Sequence, residues 1–399
     1  MKQPPAVLEM ASRYLGIGAR RASRAPSPHE PPPNLPIGHP FMGLRNRWNM
    51  LCTTDDLGDE PIGMRVLGED LAVWRDGTGQ PRVMTDYCPH RGARLSLGNV
   101  VGGELQCWYH SWRFDGTGQC TSVPSQGGPC KLADRTRVRP TYPAADKAGF
   151  VWAWIGDEQP APLDLPHEFT DPSYSMFPET VTWSVNWRLA LENLADVMHA
   201  PFLHSKSLTL SKGLAADRVK VIDTDDGFRV ERTGQQGVNF DWIEMGTGPL
   251  LYARLDIPYP SSWAAGPGPA LRILGFVTPI DEGRTVVHFP RFRQVDGWQR
   301  TIWRALYRAR LRGTHLHVLN QDKAILESLG TIERATRDEH PAQSDRPVLH
   351  LRKVLQPAFD AQLAALESRE GDADTVSVGG GNGAEDDEEQ ESTEATARA

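Results

Sequence analysis

The chain has 399 residues, and its 43 Lys and Arg residues against 51 Asp and Glu residues give a formal charge of −8. This length predicts two or three domains, and no apolar run reaches the 18 residues that a membrane-spanning helix needs. Residues 371–399 contain nine acidic residues and one basic residue, so the 42 bases and 42 acids before them cancel. A balanced body of this kind gives no support to a nucleic-acid-binding surface or a membrane-binding face.

A Pro-rich leader opens the chain at residues 1–44, with nine of the 32 prolines in its first 40 residues, and is predicted to be mostly disordered. Residues 45–156 are predicted to form a small all-β domain. Gly and Asp turns separate its candidate strands at 71–74, 82–85, 105–108 and 149–155. The acidic, Pro-rich stretch 157–178 is typical of a linker.

A second domain is predicted over residues 157–370. Its candidate strands, which indicate a larger antiparallel sheet, lie at 219–223, 228–232, 250–257, 271–278 and 285–293. Its candidate helices lie at 187–198, 298–335 and 355–366. Residues 371–399 are Gly-rich and then acidic, which predicts a disordered tail.

Two cysteine and histidine pairs lie 16 residues apart in the predicted β domain, Cys88-Pro-His90 and Cys107-Trp-Tyr-His110. Two thiolates on one iron and two imidazoles on the other hold a Rieske-type [2Fe–2S] cluster, so this alternation predicts such a cluster. A Cys₂His₂ zinc site is the alternative, although it normally pairs cysteine with cysteine and histidine with histidine.

The other three cysteines, Cys52, Cys120 and Cys130, are predicted to be packing residues. Five cysteines in a long chain argue against a disulfide framework, and no apolar segment of a secretory signal follows the N-terminal arginines. The sequence therefore predicts a cytoplasmic protein.

A second possible metal site begins in the helix predicted at 187–198. His199 and His204 are five residues apart and would point about 140° away from each other on a continuous helix. Pro201 is expected to break the helix between them, which would let both imidazoles face one point. Two histidines and one carboxylate form the facial triad of non-haem Fe(II) oxygenases, and the best carboxylate donors are Asp322 and, as the reserve, Glu327.

The motifs Cys88-Pro-His-Arg-Gly-Ala and Cys107-Trp-Tyr-His-Ser-Trp resemble the Rieske domain of the Rieske non-haem iron oxygenases. Ser111 stands where that family usually has Gly. The resemblance covers about residues 45–335 and is to the α-only group of the phthalate dioxygenase and vanillate O-demethylase type. It implies an α+β protein, with an all-β Rieske [2Fe–2S] domain and a helix-grip catalytic domain built on a central antiparallel sheet.

The resemblance also implies roles for individual residues. His199, His204 and Asp322 would bind one Fe(II) per chain. Asp196 would lie between His199 and the partner subunit's His110, and so carry electrons between the metals of a head-to-tail homotrimer. Asn193 would support the iron site, with Glu192 as a second candidate.

These expectations together predict the terminal component of an oxygenase that uses O₂ to hydroxylate or dealkylate a small aromatic or apolar substrate. The alternative is a Rieske electron-transfer protein without catalysis. Since no nucleotide-binding glycine motif follows a predicted strand, electrons are expected from a separate NAD(P)H-dependent reductase, with or without a ferredoxin.

Overall fold

The computed structural model describes residues 35–127, 131–207, 210–258 and 266–378, with side chains described as far as residue 369. The N-terminal lobe contains three antiparallel sheets, ordered β1-β11-β10, β2-β3-β4-β9 and β5-β6-β7-β8. Its strands are β1 Arg47–Thr53, β2 Ile62–Val66, β3 Glu69–Arg75, β4 Pro81–Thr85, β5 Asn99–Val101, β6 Glu104–Gln106, β7 Arg113–Phe114, β8 Cys120–Ser122, β9 Thr141–Tyr142, β10 Ala144–Lys147 and β11 Phe150–Ile155. A short helix, α1 Lys131–Arg135, follows β8.

The β2-β3-β4-β9 sheet is buried on both faces. Leu71 and Val73 of β3 pack into one hydrophobic cluster, while Ala72 and Trp74, which point the other way, pack into the cluster beneath the cysteine loops. The continuous apolar run in β3 therefore reflects two packed faces.

The C-terminal lobe is built on a nine-stranded antiparallel sheet ordered β12-β20-β18-β17-β16-β15-β14, with β19 paired to β18 and β13 paired to β19. Its strands are β12 Tyr174–Phe177, β13 Thr180–Trp183, β14 Val219–Thr224, β15 Gly227–Arg232, β16 Trp242–Thr247, β17 Leu251–Ile257, β18 Leu271–Asp281, β19 Arg284–His288 and β20 Arg291–Gln294. Its helices are α2 Trp187–Ala195, α3 Ala200–Leu203, α4 Gly297–Leu306, α5 Arg312–Glu327, α6 Ile332–Thr336 and α7 Arg346–Val378. The predicted fold class is confirmed.

The two faces of this sheet have different partners. One face, on which Val230, Ile243 and Leu255 stand in register, packs against α2 and α5 in the largest hydrophobic cluster. The other face packs against the N-terminal lobe, where the Trp152 ring meets Phe276 at 5.5 Å between centroids. The sheet therefore joins the lobes on one side and covers the helices of the second predicted site on the other.

The helix predicted at 187–198 is shorter than expected, and Pro201 is not what breaks it. Helix α2 ends at Ala195 because Asp196 is extended, with φ −83° and ψ 112°. The Asp196 carboxylate accepts the Met198 N–H at 2.7 Å and so stabilises the turn. Pro201 instead lies in the first turn of α3, where its missing N–H costs nothing.

Other boundaries also differ from the predictions. The stretch 157–178 is not only a linker, since it contains β12, and the strand expected at 285–293 is divided into β19 and β20 around Pro290. The helix expected at 298–335 is interrupted by a π-helical turn, Tyr307–Leu311, and again after Glu327. Strand β16 was not predicted.

The two predicted disordered ends are only partly described. A short 3-10 helix, Pro40–Met42, lies within the expected leader and buries Met42 completely, whereas residues 1–34 lie outside the described part. Helix α7 continues to Val378, so the first eight residues of the expected tail are helical, and residues 379–399 lie outside the described part. Among the described helices, none has the length and apolarity to cross a membrane.

Candidate metal centres

The four Cys and His residues of the first motif come together at the tips of two similar loops. In each loop the cysteine N–H donates to the carbonyl five residues ahead, and the N–H four residues ahead donates back to the cysteine carbonyl, at 2.8–2.9 Å. The donor–acceptor pairs are Cys88 to Ala93, Gly92 to Cys88, Cys107 to Trp112 and Ser111 to Cys107. Each cysteine is thus fixed by its own backbone.

The fourth residue after each cysteine has a left-handed backbone. Gly92 has φ +75° and Ser111 has φ +57°. Such a conformation is unstrained for Gly but costs energy for Ser. The Ser111 difference noted in the sequence therefore falls at a position where the backbone itself favours Gly.

The thiols and imidazoles of these loops differ in exposure. Cys88 and Cys107 are buried, at 1% and 2% exposure, whereas His90 is half-buried and His110 is exposed. The His90 and His110 rings lie 4.6 Å apart, and His90 stacks on Trp112 at 4.4 Å between centroids. A hydrogen bond between the two thiols lowers the pKa of Cys107 and raises the pKa of Cys88, so the two sulfur atoms face each other. This donor set fits a cluster held by buried sulfur and outward-facing imidazole.

A buried acid braces the first loop. Asp86 accepts the Ser96 backbone N–H at 2.6 Å and the Ser96 hydroxyl at 2.5 Å. Burial raises the pKa of Asp86 to about 6, in spite of the Ser96 hydrogen bonds. Asp86 therefore ties the strand end before Cys88 to the short helix that follows the loop. Outside the loops, Cys52 is a buried free thiol and Cys120 is buried, while Cys130 lies outside the described residues.

The second site lies between α2, α3 and α5. His199, His204 and Asp322 each offer one ligand atom, and these atoms lie within 4.8 Å of one another. Asp322 Oδ1 is 3.5 Å from His199 Nε2 and 3.3 Å from His204 Nε2. On α5, Leu319 and Leu326 lie on the same face as Asp322 and pack into the core, which brings the carboxylate inward.

The ligand atoms of this group fit a bound cation. His204 and Asp322 are only 1% and 6% exposed, and neither His204 Nε2 nor Asp322 Oδ1 has a hydrogen-bond partner of suitable geometry among the described residues. Buried polar atoms without partners are costly unless something binds them. Two imidazole nitrogens and one carboxylate oxygen match the ligand set of non-haem iron.

Each histidine of the pair has a different neighbour behind its ring. His199 Nδ1 lies 3.3 Å from Asp196 Oδ2. Burial opposes the charged forms of both groups, but the carboxylate raises the pKa of His199, and His199 lowers the pKa of Asp196. His204 Nδ1 lies 3.0 Å from Gln321 Oε1. The sequence reasoning did not identify Gln321, although it directly precedes Asp322.

Two predicted acids point elsewhere. Glu327 accepts the Ser184 N–H at 2.7 Å, so it is not part of the cluster that Asp322 joins. Glu192 accepts hydrogen bonds from Arg188 and from Nε and Nη2 of Arg352, so it anchors α2 to α7 rather than supporting the metal site. Asn193 is half-buried on α2, with no side-chain hydrogen bond to the described residues, and its role stays a prediction.

Comparisons with known proteins identify a known domain in each lobe. Residues 47–142 match the Rieske [2Fe-2S] domain, and residues 183–361 match the vanillate O-demethylase oxygenase C-terminal domain. The chain is 34% identical over 195 residues to the chloroacetanilide N-alkylformylase oxygenase component of Rhizorhabdus wittichii, covering 48% of this chain and 55% of that protein. It is 32% identical to the vanillate O-demethylase oxygenase subunit of a Pseudomonas species over 41% of this chain and 46% of that protein. These matches span about half the length of the two relatives.

A longer match is found to the phthalate 4,5-dioxygenase oxygenase subunit of Pseudomonas putida, at 25% identity over 82% of this chain and 83% of that protein. Among solved structures, dicamba monooxygenase bound to dicamba aligns with a TM-score of 0.63 and 22% identity, covering 80% of this chain and 98% of that one. The oxygenase and ferredoxin complex of carbazole 1,9a-dioxygenase aligns with a TM-score of 0.66 and 20% identity, covering 79% and 91%. The structural matches establish a shared fold.

Proposed function

Because the chain belongs to the Rieske non-haem iron oxygenases in both of its domains, we propose that it is the terminal component of such an oxygenase. It hydroxylates, with one or both atoms of O₂, or dealkylates a small aromatic or apolar substrate. The observation that carries this proposal is the convergence of His199, His204 and Asp322 in a buried site. A Rieske electron-transfer protein without catalysis would have no use for those unpartnered ligand atoms.

Two groups of residues would hold the cofactors. Cys88, His90, Cys107 and His110 would hold one [2Fe–2S] cluster, and His199, His204 and Asp322 would hold one Fe(II). A facial triad leaves coordination positions open for O₂. The buried Cys88 and Cys107 would supply the sulfur ligands from inside the lobe, and the exposed His110 would supply an imidazole ligand at the surface.

Asp196 would connect the two metals. Its carboxylate lies 3.3 Å from the outer nitrogen of His199, and the Asp196 side chain is still about a quarter exposed, which would leave it accessible to a second partner. Exposed His110, together with Trp108 and Tyr109 at 50% and 56% exposure, supports a head-to-tail homotrimer in which the partner subunit's His110 approaches Asp196. Asn193 would support the iron from α2.

The remaining partners follow from the same proposal. Electrons would come from a separate NAD(P)H-dependent reductase, with or without a ferredoxin. The solved carbazole 1,9a-dioxygenase complexes contain a ferredoxin beside the oxygenase. The relatives' names include O-demethylases, an N-alkylformylase and dioxygenases, which supports this range of reactions. The Cys52 thiol is buried and free, which supports a cytoplasmic location.

The direct test is an iron count with matched variants and an O₂-uptake assay. We expect about three irons per chain, two in the cluster and one in the triad. His199→Ala should lose one iron and O₂ uptake but keep the visible absorption of the cluster, whereas Cys107→Ala should lose the cluster. His317→Ala, exposed on α5, and Cys52→Ala are the controls.

Oxygen uptake is measured with a surrogate reductase over aromatic acids, ethers and amines. The proposal predicts substrate-dependent uptake with at least one class. Two irons per chain, and no loss of iron on His199→Ala, would favour the electron-transfer protein. A colourless protein that binds zinc would favour the Cys₂His₂ zinc site.

A further inference from the structure

The acceptor behind His204 differs in kind from the acceptor behind His199. His204 Nδ1 lies 3.0 Å from the amide oxygen of Gln321, while His199 Nδ1 lies 3.3 Å from the carboxylate of Asp196. Gln321 is 117 positions from His204 in sequence and directly precedes Asp322 on α5. One helix therefore supplies both a ligand and the neighbour of a second ligand.

The chemistry of this contact fixes the histidine. A neutral imidazole has one N–H donor and one lone pair, and an amide oxygen only accepts, so Nδ1 must carry the proton that is donated to Gln321. The lone pair is then on Nε2, which lies 3.3 Å from Asp322 Oδ1. His204 is 1% exposed, so water cannot replace the acceptor without opening the site.

We propose that Gln321 is the positioning residue that sets the tautomer and ring orientation of His204 for metal binding, an inference that rests on the proposed function. An outer partner of this kind typically changes metal affinity 10- to 100-fold when it is removed. Because an amide is neutral, Gln321 orients His204 without adding a second charged acceptor to the one that Asp196 supplies. Because Gln321 and Asp322 are neighbours on α5, the position of that helix sets both the His204 orientation and the Asp322 carboxylate.

The test compares two substitutions of similar size at this position. Gln321→Leu removes the acceptor, whereas Gln321→Glu keeps an oxygen acceptor in the same place. Gln356→Leu is the matched control, since Gln356 is an exposed helical glutamine that donates to Asp360 and to no other side chain among the described residues. Each protein is freed of its mononuclear iron with the cluster retained, and Fe²⁺ is titrated back anaerobically by calorimetry.

We expect Gln321→Leu to raise the Kd for Fe²⁺ about 10- to 100-fold, and Gln321→Glu and Gln356→Leu to stay within about threefold of the parent or bind more tightly. Thermal stability and cluster absorption should be the same in all four proteins. In a His204→Ala background, adding Gln321→Leu should cause no further loss, because the proposed effect passes through His204.

Three outcomes would overturn the inference. The first is unchanged affinity in Gln321→Leu, the second is equal weakness in Gln321→Glu and Gln321→Leu, and the third is a further tenfold loss in the His204→Ala background. If the parent chain binds no Fe²⁺ at this site, the proposed function fails and the inference fails with it. The parent titration therefore separates the two cases.

Discussion

The two loops proposed to hold the [2Fe–2S] cluster and the proposed iron site acquire their geometry in different ways. Each cluster loop closes on itself through two backbone hydrogen bonds within six residues, and its histidine lies near the surface. The proposed iron ligands come from segments more than 100 positions apart, and the packing of α2 and α5 on the large sheet brings them together. The first site is shaped by local backbone conformation, and the second by long-range burial.

The largest effect is expected at the anchor of α2. Arg352 makes two 2.7 Å hydrogen bonds to Glu192, which is 6% exposed. Arg352→Met should cost about 3 kcal/mol in free energy of unfolding, because it leaves a buried carboxylate with Arg188 as its main remaining partner. Urea denaturation measures the loss, and iron content should fall with it while the cluster is retained.

The control for this substitution is Arg369→Met, which breaks an exposed ion pair with Asp157 and should cost less than about 1 kcal/mol. An equal cost for the two variants would show that the α2 anchor does not depend on buried charge. A loss of cluster absorption in Arg352→Met would contradict the separation of the two sites.

A substitution at Gly92 tests whether local backbone conformation shapes the first cysteine and histidine loop. A Cβ at Gly92 would lie 2.6 Å from the Tyr87 hydroxyl, and its φ of +75° is unfavourable for other residues. Gly92→Ala should cost about 1–3 kcal/mol and reduce cluster content, measured by denaturation and by visible absorption. Gly102→Ala is the control, because Gly102 has φ +64° and open space around it, so it should lose less. An equal loss of stability in Gly92→Ala and Gly102→Ala would show that the Tyr87 contact does not contribute.

His288 tests the dependence of the large lobe on burial. Burial lowers the pKa of His288 to about 3, while an unfolded histidine titrates near 6.5. A depressed pKa gives stability that is complete above pH 6.5 and is lost as the pH falls toward 3, because the unfolded chain gains the proton first. Between pH 7.5 and 5.5 this amounts to about 1 kcal/mol.

His288→Gln should remove that part of the acid sensitivity, measured as the difference in free energy of unfolding at the two pH values. The exposed His340→Gln is the control and should leave the pH dependence as in the parent. A parent-like pH dependence in His288→Gln would show that His288 does not stay neutral in the fold.

The smallest effect is expected at Ser111. Ser111→Gly should stabilise the protein by about 0.5–1 kcal/mol, because relief of the left-handed strain exceeds the extra entropy of Gly in the unfolded chain. Ser122→Gly, in strand β8, should destabilise by a similar amount. Thermal unfolding compares the two, and a loss of stability in Ser111→Gly would mean that the serine hydroxyl stabilises the loop.

The sequence alone determined the residues whose chemistry is local. The spacing of Cys88, His90, Cys107 and His110 identified two short loops, since a turn of five or six residues can be read from its own composition. The sequence also predicted the acidic composition of the tail and the β structure of the first lobe. The helix that ends at Val378 extends further than the composition indicated.

Only the tertiary structure decided the rest of the iron site. Asp322 and Glu327 both lie on α5, and the sequence pattern around them does not separate them. The structure separates them, because Asp322 faces the two histidines while Glu327 accepts the Ser184 N–H. Neither the Gln321 contact with His204 nor the turn at Asp196 has a signature in the sequence. The Gln321 contact depends on packing between segments 117 positions apart in the chain, and the free energy of such contacts is set by burial that no local pattern records.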